Sequence, residues 1–186
     1  VASIVKNLLS FARETREEAA PAHLPGIIGD ALELVGKQFA KDGVRLQVFY
    51  SAGLPKMVVN SQKIQQVFVN LLSNARYALN QRFPGFSGEK RLKIRAYETE
   101  ANNQAWLRTE FIDYGAGIDP AVINRVCDPF FSTKPKGEGT GLGLSISYGI
   151  IKDHGGELFF DSEAGRYTRA RVDLPVTSNN TAKHTS

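Results

Sequence analysis

Apolar residues in this chain keep two rhythms, one returning every three or four positions and one alternating, and together they divide it into helices and strands. Val1, Val5, Leu8 and Ala12 recur at helical spacing, with Ile4, Leu9 and Phe11 widening the stripe. The chain then turns charged through RETREEAAP, and Pro21 forbids simple continuation. LPGIIGDALELVGKQFAKDG predicts a helix opening near Pro25 and closing at Gly43, followed by an alternating strand over 44–50. Ser61 is placed to cap a further helix that runs through QKIQQVFVNLLSNARYALNQRF to the Pro84 and Gly85 stop. Two strands, RLKIRAYET and AWLRTEFID, meet across the turn-prone pair Asn102 and Asn103. A short helix from Pro120, a Pro/Gly/Lys-rich stretch to Gly139 and a helix ending before HGG come next. ELFFDS and YTRARVDLP read as closing strands, and TSNNTAKHTS as a frayed polar tail. Mixed helices and antiparallel strands predict a two-layer α/β sandwich.

Composition narrows this picture. At 186 residues the chain is long enough for one main domain with its own core. An apolar fraction of 42% and a charged fraction of 23% are ordinary for a globular protein, and no run is long enough to span a bilayer. The single cysteine, Cys127, excludes an internal disulfide framework and makes a cytoplasmic setting the default. The net charge is +4, but acids and bases are interspersed, so a nucleic-acid tract is not expected.

Three stretches carry candidate chemistry. On the helix that follows Ser61, the residues Lys63, Gln66, Asn70, Asn74, Tyr77 and Gln81 share one band, opposite Phe68, Leu72, Ala75 and Leu79. Such a stripe is commonly just the solvated face. Two asparagines at i and i+4 are poor helix formers, however, and their amide oxygens suit a hard cation such as Mg²⁺. In IDYGAGIDP, Asp113 ends an apolar strand before Gly115 and Gly117; this is either a plain turn or backbone bared for a flat ligand whose exocyclic amine reaches the carboxylate. Finally, Gly137, Gly139, Gly141 and Gly143 fit neither G-x-G-x-x-G nor the G-K-[ST] ending of a phosphate loop. They leave a loop whose backbone N–H groups meet a helix start, where a phosphate is favoured, with Lys134 and Lys136 upstream.

Taken in order, these stretches resemble the catalytic and ATP-binding domain of sensor histidine kinases, in the superfamily shared with type II topoisomerases, heat-shock chaperones and mismatch-repair ATPases. NLLSNARYAL is similar to the N box, DYGAGI to the first glycine box, DPFFSTK to the F box and GEGTGLGLSI to the second glycine box. The wording of the last two is most similar to the nitrogen-regulation and dicarboxylate-sensing branch. The resemblance covers about 24–175 and implies a Bergerat-type ATP-binding fold over 24–176, with 1–20 as the end of a dimerisation hairpin and 177–186 as a flexible tail.

It also implies roles. Asn74 would hold Mg²⁺ on the triphosphate, supported by Asn70. Asp113 would receive the adenine amino group, with Gly115, Gly117 and Ile118 shaping that side. Lys134, after Phe130 and Phe131, would reach the phosphates, and Gly139, Thr140, Gly141, Leu142 and Gly143 would set donors around them, with Leu144 anchoring the helix. Thr168 matches a position near the pocket. Tyr77 departs from the Lys or Arg that many members carry there, so no direct cationic contact with phosphate is expected from it; Asn60 stands where an acid is frequent. A lid over about 128–139, ordered by nucleotide, is implied as well.

Related ATPases place a glutamate one turn before the metal-binding asparagine. Here Asn70 stands there without useful basicity, so efficient hydrolysis is not expected. The family's phosphoacceptor is a histidine followed by an acid, and none of His23, His154 and His184 fits, His154 reading as structural. The expected partners are therefore ATP, an upstream dimerisation and phosphoacceptor domain, and a response-regulator receiver domain, within a homodimer that a membrane segment elsewhere could anchor. A nucleotide-binding interaction module and a serine-directed protein kinase of the same fold stay open as alternatives.

Overall fold

The computed structural model describes residues 18–135 and 139–176; most of the expected opening helix, Lys136, Gly137 and the tail from residue 177 lie outside them. Among the described residues, the strands β2 (Arg45–Tyr50), β4 (Arg91–Ala101), β5 (Gln104–Asp113), β6 (Glu157–Glu163) and β7 (Tyr167–Pro175) form one sheet in the order β2-β4-β5-β7-β6. β2 runs parallel to β4 and every other pair is antiparallel. Helices α1 (Leu24–Asp42), α2 (Ser61–Arg82) and α3 (Gly143–Asp153) complete the sandwich.

The core follows the apolar rhythms. Leu24, Ile27, Ile28, Ala31, Val35 and Phe39 bury one side of α1, and Ile64, Val67, Phe68, Leu71, Leu72, Ala75 and Leu79 one side of α2. They meet Leu92, Ile94 and Ala96 of β4 and the inward residues of β5 and β7. Phe68 packs its ring 5.2 Å from that of Phe111. Asn102 and Asn103 have φ of 53° and 57°, the paired left-handed conformation that a two-residue hairpin turn requires.

Two expectations are corrected, and one pair of strands is added. The side chain that caps α2 belongs to Asn60, whose Oδ1 accepts from the Lys63 N–H at 3.0 Å, while Ser61 is the first helical residue. The short helix from Pro120 is a single 3-10 turn at Ile123–Arg125, none of whose residues is buried, so no apolar face stabilises a longer helix. A small antiparallel pair, β1 (Ala20–Ala22) with β3 (Met57–Val59), has no sequence counterpart above, since three residues are too few to show alternation.

His154 is structural, as expected. It ends α3, its Nε2 accepts from the Asn60 N–H at 3.1 Å, and its Nδ1 stands 2.7 Å from the Ile150 carbonyl, which makes Nδ1 the donor. Lys90 is buried to 0% exposure, yet its ammonium has acceptors in the Asp42 carbonyl at 3.1 Å, Asn80 Oδ1 at 2.6 Å and the Gly85 carbonyl. The Asp42 carboxylate in turn accepts from Arg76 Nε at 2.5 Å and Asn80 Nδ2 at 2.8 Å. This cluster joins the end of α1, the last turns of α2 and the approach to β4.

Candidate functional site

A cleft of about 360 Å³ opens between α2, the Asp113 and Thr168 ends of β5 and β7, and the segments leading into α3. The lower half of the polar stripe faces it: Asn70, Asn74, Tyr77 and Gln81 line the cleft, whereas Lys63 and Gln66 are exposed one or two turns earlier. Asn70 is committed to α3. Its Nδ2 donates to Ser147 Oγ at 2.9 Å, and its Oδ1 would lie 2.5 Å from a Cβ on Gly143, so Gly143 is where the helix start is allowed to touch α2. Asn74 Oδ1 accepts from Lys134 Nζ at 3.0 Å, and the same ammonium lies 4.4 Å from the centre of the Tyr77 ring.

At the other end Asp113 is only 4% exposed, and its Oδ1 accepts from the Gly115 N–H at 3.0 Å. Burial outweighs that hydrogen bond and pushes the Asp113 carboxyl up to about 7. The turn after it is packed from two sides. A Cβ on Gly115 would come within 2.5 Å of the Ala78 carbonyl carbon, and the Ala116 N–H donates to the Ala78 carbonyl at 3.0 Å. Gly117 has φ of 69° and lies against the Glu163 backbone, so both a side chain and its usual dihedrals are excluded. The Ile118 N–H donates to Ser162 Oγ at 2.8 Å, which stands 3.1 Å from Thr168 Oγ1. Thr168 is opposite Asp113 in the β5–β7 register, so the structure brings the two together. Arg82, at the end of α2, clamps this turn by donating to the carbonyls of Tyr114, Gly115 and Arg166 at 3.1, 3.4 and 3.1 Å.

The glycines before α3 are shaped by the F-box backbone. Gly141, with φ of 66°, would place a Cβ 2.5 Å from the Phe130 carbonyl carbon, and a Cβ on Gly139 would meet Ser132 Oγ at 2.8 Å. Gly139, Thr140, Gly141, Gly143, Leu144 and Lys134 line the cleft. Gly115, Leu142 and Phe130 do not: Leu142 precedes α3 with no side-chain cap on the helix, and Phe130 is 76% exposed with φ of 64°. The uncapped start leaves first-turn N–H groups of α3 facing a site for an acceptor.

The apolar floor was not singled out from sequence. Phe111 and Ala170 lie beneath the cleft two residues from Asp113 and Thr168 on the same faces of β5 and β7, with Phe160 beside them and Phe131 on the rim. Strand alternation counted from Asp113 and Thr168 marks the first two. The groups fit a nucleotide: a desolvated carboxylate beside bare backbone can accept from a purine amine, and a lysine with an uncapped helix start can donate to phosphates.

Residues 59–178 match the family model described as histidine kinase-, DNA gyrase B-, and HSP90-like ATPase. The chain belongs to that family. Its relatives within it are sensor histidine kinases, and this sandwich is an ATP-binding catalytic domain of their type. The two-component sensor PprA of Pseudomonas aeruginosa is 34% identical over 83% of this chain and 16% of its own length. Sensor kinase CckA of Brucella abortus is 32% identical over 94% of this chain and 19% of its own. The sensory histidine kinase/phosphatase NtrB of Rhizobium leguminosarum is 30% identical over 96% of this chain and 47% of its own. The chain thus spans less than half the length of these curated relatives. Among solved structures, the mycobacterial sensor histidine kinase MprB superposes with a TM-score of 0.69 at 25% identity, over 84% of this chain and 97% of that one. Histidine kinase ThkA in complex with response regulator TrrA gives a TM-score of 0.69 at 24% identity, over 95% of this chain and 47% of that one, a likeness of fold.

Proposed function

We propose that this domain binds Mg²⁺-ATP in the cleft and presents the terminal phosphoryl group to a histidine on an upstream dimerisation hairpin, for relay to a response-regulator receiver domain. The single observation that carries this reading is the polarity of the cleft. Asp113 is the acidic side chain lining one end, and Lys134 the cation lining the other among the described residues, with bare glycine backbone beside each. Adenine belongs at the first end and the triphosphate at the second. The residues assigned to them are those named from the four boxes.

Bound ATP would supply the phosphoryl group and Mg²⁺ the charge that offsets its oxygens. Asn74 offers the ion the second lone pair of an amide oxygen whose first accepts from Lys134. No group of three or more His, Cys, Asp or Glu among the described residues could hold a metal ion, so the remaining ligands would be phosphate and water, the usual company of Mg²⁺. Asn70 has no basicity and its amide is engaged by Ser147, so the cleft positions a phosphoryl group without activating water. Among the described residues no histidine is placed as the nucleophile, because His23 precedes α1 and His154 is locked between α3 and Asn60, so the acceptor would come from outside this domain. In support of the relay, the solved ThkA assembly is a kinase with its response regulator. A full-length homodimer follows from the same reading. Membrane anchoring would come from other segments, since no described helix is long and apolar enough to cross a membrane.

The test is to join the domain to its upstream hairpin and incubate it with Mg²⁺ and γ-labelled ATP. Acid-labile, base-stable label on a hairpin histidine is expected. Label on serine, or nucleotide binding with no label at all, would overturn the histidine-kinase reading.

A further inference from the structure

The cleft-facing half of α2 is neutral. Asn70, Asn74, Tyr77 and Gln81 carry no charge, and the two arginines nearby are turned to other tasks: Arg76 pairs with Asp42, and Arg82 clamps the turn after Asp113. The positive charge at that end arrives instead from a loop, on Lys134. A lysine loses rotamer freedom when it is fixed in one place. Two groups of α2, one turn apart, fix this one: the Asn74 amide oxygen at 3.0 Å and the Tyr77 ring at 4.4 Å from centroid to Nζ. Gly139 completes the seat, since a Cβ there would come within 3.1 Å of Lys134 Cδ and press on its stem. One turn before Asn74, Asn70 touches the start of α3, so the seated ammonium and the helix N-terminus flank one corner.

We infer that Tyr77 is a positioning residue for the nucleotide's phosphates: its ring holds the Lys134 ammonium at Asn74, supplying α2 with a cation that the helix itself does not carry. The inference rests on the nucleotide reading of the cleft. Tyr77 then acts through its aromatic face and through Lys134, so its effect is confined to ligands with phosphate. A ring over a cation contributes in the range where loss changes affinity several-fold.

Calorimetric titration of the chain with ADP and with adenosine, both in the presence of Mg²⁺, tests this with Tyr77→Leu, Tyr77→Phe, Lys134→Met and the Leu/Met double variant. Tyr77→Leu is expected to weaken ADP binding about three- to tenfold, and Tyr77→Phe to keep it within about twofold. Lys134→Met is expected to weaken ADP at least as much as Tyr77→Leu, and the double variant no more than Lys134→Met alone. Adenosine affinity should stay within about twofold throughout. Equal losses for adenosine and ADP on Tyr77→Leu, a Phe variant as weak as the Leu variant, or additive losses in the double variant would each overturn the inference while leaving the nucleotide site standing. Should Tyr77→Leu not fold, Tyr77→Phe and Lys134→Met decide: loss of ADP affinity in the former, or none in the latter, is equally fatal. A parent chain that binds neither ligand overturns the nucleotide reading itself.

Discussion

A carboxyl that is 4% exposed, with its pKa pushed to about 7 by burial, is poised between two protonation states near neutrality. An aspartate in the unfolded chain titrates at 3.8. Because the folded value is the higher one, the folded state retains a proton that the unfolded state has given up, and stability is lost as pH rises from about 4 to about 7. Asp113→Asn removes that loss. The variant should therefore be the more stable of the two at pH 8 in chemical denaturation, and the gap should close toward pH 4. Nucleotide affinity runs the other way, since only the carboxylate accepts freely from an amine: it should fall as pH drops from 8 to 6, and Asp113→Asn should be weak at every pH. Such a trade of stability against binding is what a site residue shows and a core residue does not. At this scale the sequence was informative where chemistry is local. Asp113, Asn74 and Lys134 could be named because a polar residue in an apolar or glycine-rich setting draws notice. The engagement of Asn70 with Ser147, 77 positions away, and the burial of Lys90 among three acceptors are products of tertiary packing with no local signature.

Helix α2 carries the site, and its start is held twice. The Asn60 side chain caps it, and the Asn60 N–H is taken by His154 at the end of α3. Asn60→Ala should cost about 1 kcal/mol of unfolding free energy through the cap. The His154 contact uses backbone and should survive, so the helix stays in place and nucleotide affinity should change by less than about twofold; thermal melts and a titration check both. The long elements were legible because each buries a continuous stripe or an alternating face. The shift of the cap from Ser61 to Asn60 is a one-residue matter that propensity alone does not decide, as both residues cap well. β1 and β3 exist through each other, three residues on either side, and neither segment announces itself alone. The brief turn at Ile123–Arg125 is the converse case, a proline start with nothing to bury.

Across the whole molecule the two ends of the cleft are held by different means. Around Asp113 the turn is bonded to Ala78, to Ser162 and, through Arg82, to the carbonyls of Tyr114, Gly115 and Arg166, so three elements meet there. Around Lys134 the chain is held by side-chain contacts to Asn74 and Tyr77 and by the close crossing of Gly141 on Phe130. Hydrogen exchange with and without ADP and Mg²⁺ should therefore show protection gained over 128–135 and little change over 113–118. Equal gains at both ends would contradict this division. The order of the elements and the four boxes were readable in advance, but this inequality was not, because it depends on which strand edge and helix end the turn happens to touch.

The Arg82 clamp then has an outcome in time. On the proposed nucleotide reading, a jaw that is already set makes the choice of base fast and reversible, since a wrong purine finds Asp113 in place and leaves without anything having to unfold. On that reading, the jaw held through the Lys134 side chain governs how long the right one stays. On the proposed reading, residence of the nucleotide is therefore set on the Lys134 side of the cleft rather than beside Asp113.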